Sequence, residues 1–152
     1  MDIKIISYAP KYKEDFIRLN KAWLEEFFYI EPHDLITFKN IEQDIIQKKG
    51  TIFFCLANNQ VVGTVAMIKT NSNTYELAKM AVDKNFQGMK LSSLLMNACI
   101  DYAISQKANK IFLLSSTKLI PALNLYRKFN FIEVPLEETD YVRADIQMEL
   151  YL

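Results

Sequence analysis

Between Thr74 and Ser115 the chain reads strand, short polar turn, long helix, strand, and that order constrains the fold more than any other stretch. The β-rich run TYELAKMAV (Thr74–Val82) ends in a polar turn, a helix opens near Leu91 and extends to Gln106, and KIFLLS (Lys110–Ser115) is again strand-like. A strand, helix and strand in one sheet require a right-handed crossover and two parallel strands. The preceding segments predict antiparallel pairing instead. Thr51–Ala57 is β-branched and aromatic, Asn58–Asn59–Gln60 is a turn, and Val61–Ile68 returns as its hairpin partner. Asn71–Asn73 turns again into Thr74–Val82. The short connection into the helix also aims free backbone N–H groups at one point, at the positive end of the helix dipole, where a phosphate or pyrophosphate is favoured.

The remaining elements fit a mixed sheet with helices on both faces. Ile3–Ser7 reads as a first strand, and Lys11–Phe28 has helical spacing with Phe16, Leu19, Trp23 and Phe27 on one side. Pro32 interrupts that pattern, Phe38–Lys48 reads as a second helix with Ile41, Ile45 and Ile46 inward, and Gly50 stops it. In the long helix, Leu91, Leu94, Leu95, Ala98, Cys99 and Tyr102 are the expected inward side chains. A short helix runs from Leu119 or Pro121 to Phe129, and Phe131–Val134 and Val142–Leu150 close the sheet. The fold class expected is α/β (α+β), a mostly antiparallel sheet with one splayed parallel pair, in a single domain over residues 1–152.

Charge and composition narrow the partners. The chain has 18 Lys+Arg and 18 Asp+Glu, for zero formal net charge, which argues against nucleic acid as the main partner. The two cysteines, Cys55 and Cys99, sit in apolar settings and read as buried free thiols, with neither a disulfide nor a metal expected. The first ten residues do not read as a signal peptide, so none is expected, and no apolar run approaches the roughly 20 residues of a membrane span. A soluble, cytoplasmic protein without membrane contact is expected, and monomer and homodimer both remain open.

From Tyr75 to Phe131 the chain resembles the GCN5-related N-acetyltransferase (GNAT) superfamily. The family loop Q/R-x-x-G-x-G/A aligns with Gln87, Gly88, Met89, Lys90, Leu91 and Ser92, and A-x-x-x-Y-x-x-x-x-F with Ala122, Tyr126 and Phe131. Lys90 stands where the family has Gly, and Ser92 where it has Gly or Ala. Lys90 must therefore adopt an ordinary backbone conformation or carry strain, and its ammonium can compensate by pairing with a phosphate. Asn130 replaces the usual Gly before Phe131, and Asn is the best substitute in a left-handed helix stop.

The resemblance implies transfer of acetyl from acetyl-CoA to a primary amine by direct attack in a ternary complex, without a metal. It implies pantetheine along Met80, Ala81 and Val82, and pyrophosphate on Gln87–Ser92. The family often places a pantetheine-holding Asn where this chain has Leu119, so that contact either moves to Ser116 or Thr117 or is lost. It assigns Tyr126 as proton donor to the departing thiolate and Glu76 as candidate base. The acceptor side draws on Trp23, Glu26 and Tyr29 among Glu25, Glu31, His33 and Asp34, with Glu133, Glu137, Glu138 and Asp140 from the late loop. Carboxylates around an aromatic floor suit a cationic acceptor such as a polyamine, an amino sugar or a lysine side chain. A non-catalytic acyl-CoA-binding or interaction domain with a degenerate loop is the alternative.

Overall fold

The computed structural model describes residues 1–152. Its elements are β1 (Ile3–Ser7), α1 (Lys13–Phe27), α2 (Pro32–Lys39), β2 (Thr51–Ala57), β3 (Gln60–Asn71), β4 (Thr74–Val82), α3 (Leu91–Ser105), β5 (Lys110–Ser115), α4 (Ile120–Lys128), β6 (Ile132–Val134) and β7 (Ile146–Tyr151). They build one seven-stranded sheet in the order β1-β2-β3-β4-β5-β7-β6. Only β4 and β5 run parallel; every other pair is antiparallel. The mixed sheet and its single parallel pair are as the sequence led one to expect. No helix is long and apolar enough to cross a membrane.

Period-two alternation divides the core between the two faces. Tyr75, Leu77, Ile111, Leu113 and Met148 pack with Leu95, Met96 and Cys99 of α3 and Leu123 of α4. On the other face, Phe54, Leu56, Ala66 and Ala81 pack with Phe16, Leu19 and Leu24 of α1 and with Phe38, Ile41 and Ile45. Both cysteines are buried free thiols. The β2–β3 turn takes left-handed φ at Asn58 (49°) and Asn59 (67°), the pair of conformations that a two-residue type I′ hairpin requires and Asn tolerates.

The structure corrects several expected boundaries. Pro32 does not break a helix but starts one. It occupies the first turn of α2, where its missing N–H costs nothing, and Glu31 and Asp34 form a capping box around it. The segment expected as one helix over 38–48 is the end of α2 followed by a π-helical turn, Glu42–Ile46, with Ile46 only half-buried. The left-handed stop before β2 is Lys49 (φ 67°), not Gly50. Gly50 is required by close approach, since a Cβ there would lie 2.5 Å from the Met67 carbonyl oxygen and 2.8 Å from that of Ile45. In α3, Leu94 faces outward at 40% exposure while Met96 and Ala103 are buried. In α1, Leu24 is buried where Phe27 was expected. The last strand starts at Ile146; residues 142–145 are coil that serves the functional site.

One irregularity shapes that site. Thr64 faces Ala81, but Ala66 faces Ala78, so β4 carries one extra residue. Lys79 absorbs it with φ 58° in a β-bulge. β4 pairs with β5 only through Thr74–Lys110, Tyr75–Ile111 and Glu76–Phe112. Beyond Glu76 the two strands separate.

Candidate active site

The gap between β4 and β5 opens into a cavity of about 600 Å³ lined mainly by apolar side chains. At one end lie Gln87, Gly88, Lys90, Leu91 and Ser92, from the β4–α3 connection and the start of α3. α3 opens without a side-chain cap, so its first N–H groups have no intramolecular acceptor. Gly88 takes φ 82° with nothing within 4 Å of where a Cβ would stand. Lys90 takes φ 61°, so the lysine does carry the left-handed conformation that the family reserves for glycine. An open loop, uncapped amides and a lysine fit a diphosphate. Met89 is exposed and its side chain does not line the cavity. Ala81 is buried against the α1 face, so only its backbone can serve the gap, whereas Met80 and Val82 line it.

Tyr126 lines the middle of the cavity, and its position follows from local sequence. α4 ends in a Schellman motif: Asn130, at φ 72°, donates its N–H to the Arg127 carbonyl at 3.0 Å, and Phe131 donates to the Tyr126 carbonyl at 3.0 Å. The Tyr126 and Phe131 rings meet at 6.1 Å, the apolar contact that accompanies such a stop. The five-residue spacing of the motif is thus the spacing of a helix cap. Burial pushes the Tyr126 phenol up to about 12, partly offset by a hydrogen bond with Ser115. Ser116 is buried and lines the cavity, while the Thr117 hydroxyl is turned away, donating to Asp145 at 2.8 Å. Leu119 also lines the cavity.

Glu76 stands at the last paired position of the parallel strands, between Ile68 and Phe112. No lysine lies directly across from it, and burial pushes its carboxyl up to about 7 against the opposing pull of Lys79.

The acceptor side differs from the expected carboxylate ring. Glu31 and Asp34 are 2% and 0% exposed and do not line the cavity. Arg143 donates through both terminal nitrogens to Asp34, at 2.8 and 2.7 Å, and through Nη1 to Glu31 at 3.3 Å. Lys79 donates to Asp34 and, at 2.9 Å, to the Tyr141 hydroxyl. Glu31 also accepts from the backbone N–H of Val142 at 2.8 Å. Burial opposes the Asp34 charge, but these donors outweigh it and hold the carboxyl at about 2. These acids are therefore structural, and the groups that reach the cavity are their partners Lys79, Tyr141 and Arg143. Trp23 lines the cavity, but Glu26 and the 60%-exposed Tyr29 do not. His33 stacks edge-on with Tyr141 and stays outside, 3.7 Å from Asp140. Sequence reasoning missed Lys79, Tyr141 and Arg143. The one signal was a lysine inside an otherwise apolar strand, Leu77–Val82.

Comparison with known proteins identifies the family and the fold. Residues 14–131 match the profile of the Acetyltransferase (GNAT) family. The chain is 25% identical over 137 residues to N-alpha-acetyltransferase 30 of Dictyostelium discoideum, covering 88% of this chain and 72% of that protein. It is 30% identical over 104 residues to N-acetylaspartate synthetase of Danio rerio, covering 67% of this chain but 36% of the relative, so it spans about a third of that protein's length. A GNAT-family acetyltransferase structure from Staphylococcus aureus MU50 superposes with a TM-score of 0.89 at 25% identity, covering 99% of both chains.

Proposed function

The chain belongs to the GNAT acetyltransferase family and is an acetyl-CoA-dependent N-acetyltransferase, and we propose that Glu76 and Tyr126 divide the proton transfers of its reaction. The observation that carries this reading is that both line one cavity whose far end is the open start of α3. The start of α3 holds the diphosphate of the acyl donor, and the stretch of β4 beyond Glu76, free of β5 on that side, offers main chain to its pantetheine arm, with Ser116 on the opposite wall. The acceptor enters beside Trp23.

In the reaction, the amine nitrogen attacks the thioester carbonyl carbon, the carbonyl oxygen gains charge, and the carbon–sulfur bond breaks as the amide forms. An acceptor that arrives as its ammonium gives one proton to Glu76 and attacks as the free amine; the second proton, lost as the amide forms, ends on the departing sulfur, so coenzyme A leaves as the thiol. With its carboxyl at about 7, Glu76 is ionised in a useful fraction at neutral pH and is still basic enough to accept a proton. Tyr126 presents its O–H to the departing sulfur. A degenerate, non-catalytic domain is disfavoured because both proton-handling groups remain on the cavity wall.

The pH profile tests Glu76. As pH rises through about 7 the carboxyl loses its proton, so kcat/KM rises across that range and levels above it. Glu76→Gln removes this limb and lowers kcat/KM by about 100-fold. A Glu76→Gln enzyme that keeps both limb and rate removes the assignment.

Lys90 supports the donor end in two opposed ways. Lys90→Gly relieves a left-handed non-glycine residue, a cost of about 1–2 kcal/mol, less the chain entropy that glycine adds. A net gain of about 0.5–1 kcal/mol in unfolding free energy is expected. The same change deletes an ammonium beside the diphosphate, so the dissociation constant of acetyl-CoA rises by roughly 3–10-fold. Calorimetry and denaturant unfolding on one pair of proteins read both effects.

A further inference from the structure

From the charges and rings around Glu76, we infer that the acceptor is a primary amine carrying one positive charge on an apolar or aromatic body. This inference rests on the acetyltransferase reading and adds the class of amine.

The charges come first. Glu76 is the only carboxylate on the cavity wall. Glu31 and Asp34 are spent on Arg143 and Lys79 inside the protein, and both cations line the same cavity, with Lys79 close enough to Glu76 to act on its charge. One ammonium therefore has one carboxylate to approach. The second ammonium of a diamine or polyamine would find no second carboxylate on the wall, only two cations, an arrangement that selects against it.

An acidic acceptor fares no better. Lys79 is held by Asp34 and the Tyr141 hydroxyl, and both terminal nitrogens of Arg143 are bonded to Asp34. Recruiting either to a substrate carboxylate would strip a fully buried aspartate of its partner.

The apolar character comes from α1. Trp23 lies 5.4 Å from the Phe27 ring and 5.7 Å from the Phe28 ring, and all three line the cavity. Leu24 and Leu77 line it as well. The Tyr141 ring is already covered by Lys79 at 4.6 Å and Arg143 at 4.3 Å. The Phe28 ring is likewise covered, by Lys118 at 4.1 Å, so the free aromatic surface is the Trp23–Phe27 part of the α1 shelf, which suits an aryl or branched aliphatic group.

Such an amine can be a small molecule or the N-terminus of a chain with a bulky apolar first residue. Thiol release by the full chain at saturating acetyl-CoA is measured with phenethylamine, a tetrapeptide beginning with Phe, putrescine, spermidine and aspartate. The better of the first two should exceed each of the last three in kcat/KM by about tenfold or more, and which of the two leads identifies the source. Trp23→Ala should raise the KM of that acceptor by about tenfold and leave the KM of acetyl-CoA within about twofold, with Trp23→Phe restoring most of the loss. Equal or higher kcat/KM for putrescine, spermidine or aspartate overturns the inference alone, as does an unchanged acceptor KM in folded Trp23→Ala. Bound acetyl-CoA with no thiol released to any amine overturns the enzymatic reading, and this inference with it.

Discussion

Asp34→Ala is expected to cost about 3–5 kcal/mol of unfolding free energy, because it removes one partner from a buried ionic cluster and leaves the others charged. Asp34 is fully buried and accepts from the Glu31 backbone N–H at 2.8 Å, from both terminal nitrogens of Arg143, and from Lys79. Without it the Lys79 ammonium keeps only the Tyr141 hydroxyl, and Arg143 keeps a single longer bond to Glu31. The capping box of α2 is lost in the same step. For a chain of this size each kcal/mol is worth about 2–4 °C, so the midpoint of thermal unfolding should fall by about 10 °C. A loss below about 1 kcal/mol would show that solvent enters and satisfies the cations. The pH dependence has a definite sign. Asp34 is depressed from its ordinary value to about 2, so its stabilising contribution is complete above about pH 4 and is lost as pH falls through about 2. That acid-induced loss should be absent in the variant.

The second large effect is on turnover. Tyr126→Phe is expected to lower kcat by about 100-fold while leaving the acetyl-CoA dissociation constant within about twofold. The substitution keeps the ring that packs 6.1 Å from Phe131 and the carbonyl that closes the Schellman motif, so α4 should stay in place. What it removes is an O–H whose proton is held firmly, with the phenol at about 12. An ordinary thiol titrates near 8.5, so complete transfer from this phenol to a free thiolate is uphill. The same burial raises the proton affinity of a thiolate formed in the cavity, which narrows the gap. On the proposed mechanism Tyr126 thus acts first as a hydrogen-bond donor that carries the charge developing on sulfur as the bond breaks. Stopped-flow detection of thiol release, with calorimetry for the donor, separates the two quantities. Wild-type turnover in the variant would dismiss the role.

Much of the site was legible because it is local. The helix N-terminus beyond Gly88 follows from a strand that ends and a helix that begins within a few residues. Tyr126 and Phe131 are five apart because a helix stop places them in contact, and Asn130 shows why glycine is not obligatory there. Asn58 and Asn59 set their hairpin by the same tolerance of positive φ. The acceptor side was misread because its acids are answered from the far end of the chain. Glu31 and Asp34 looked like a free anionic lining, yet Arg143, more than a hundred residues on, pairs with both, and Lys79 supplies the second positive charge at Asp34. Pro32 read as an interruption because a proline that ends one helix and a proline that starts the next look alike in one dimension.

The sequence by itself determined most of the element types, the parallel crossover and the short strand-to-helix turn that opens α3, since hydrophobic period, turn chemistry and the backbone needs of a helix end act over a few residues. Tertiary structure alone decided that Lys79 would bulge and part β4 from β5, that burial would lift Glu76 to about 7, and that two of the expected acceptor carboxylates would be locked away. Desolvation and ion pairing depend on which distant groups come to share a low-dielectric space, and no stretch of chain specifies that alone.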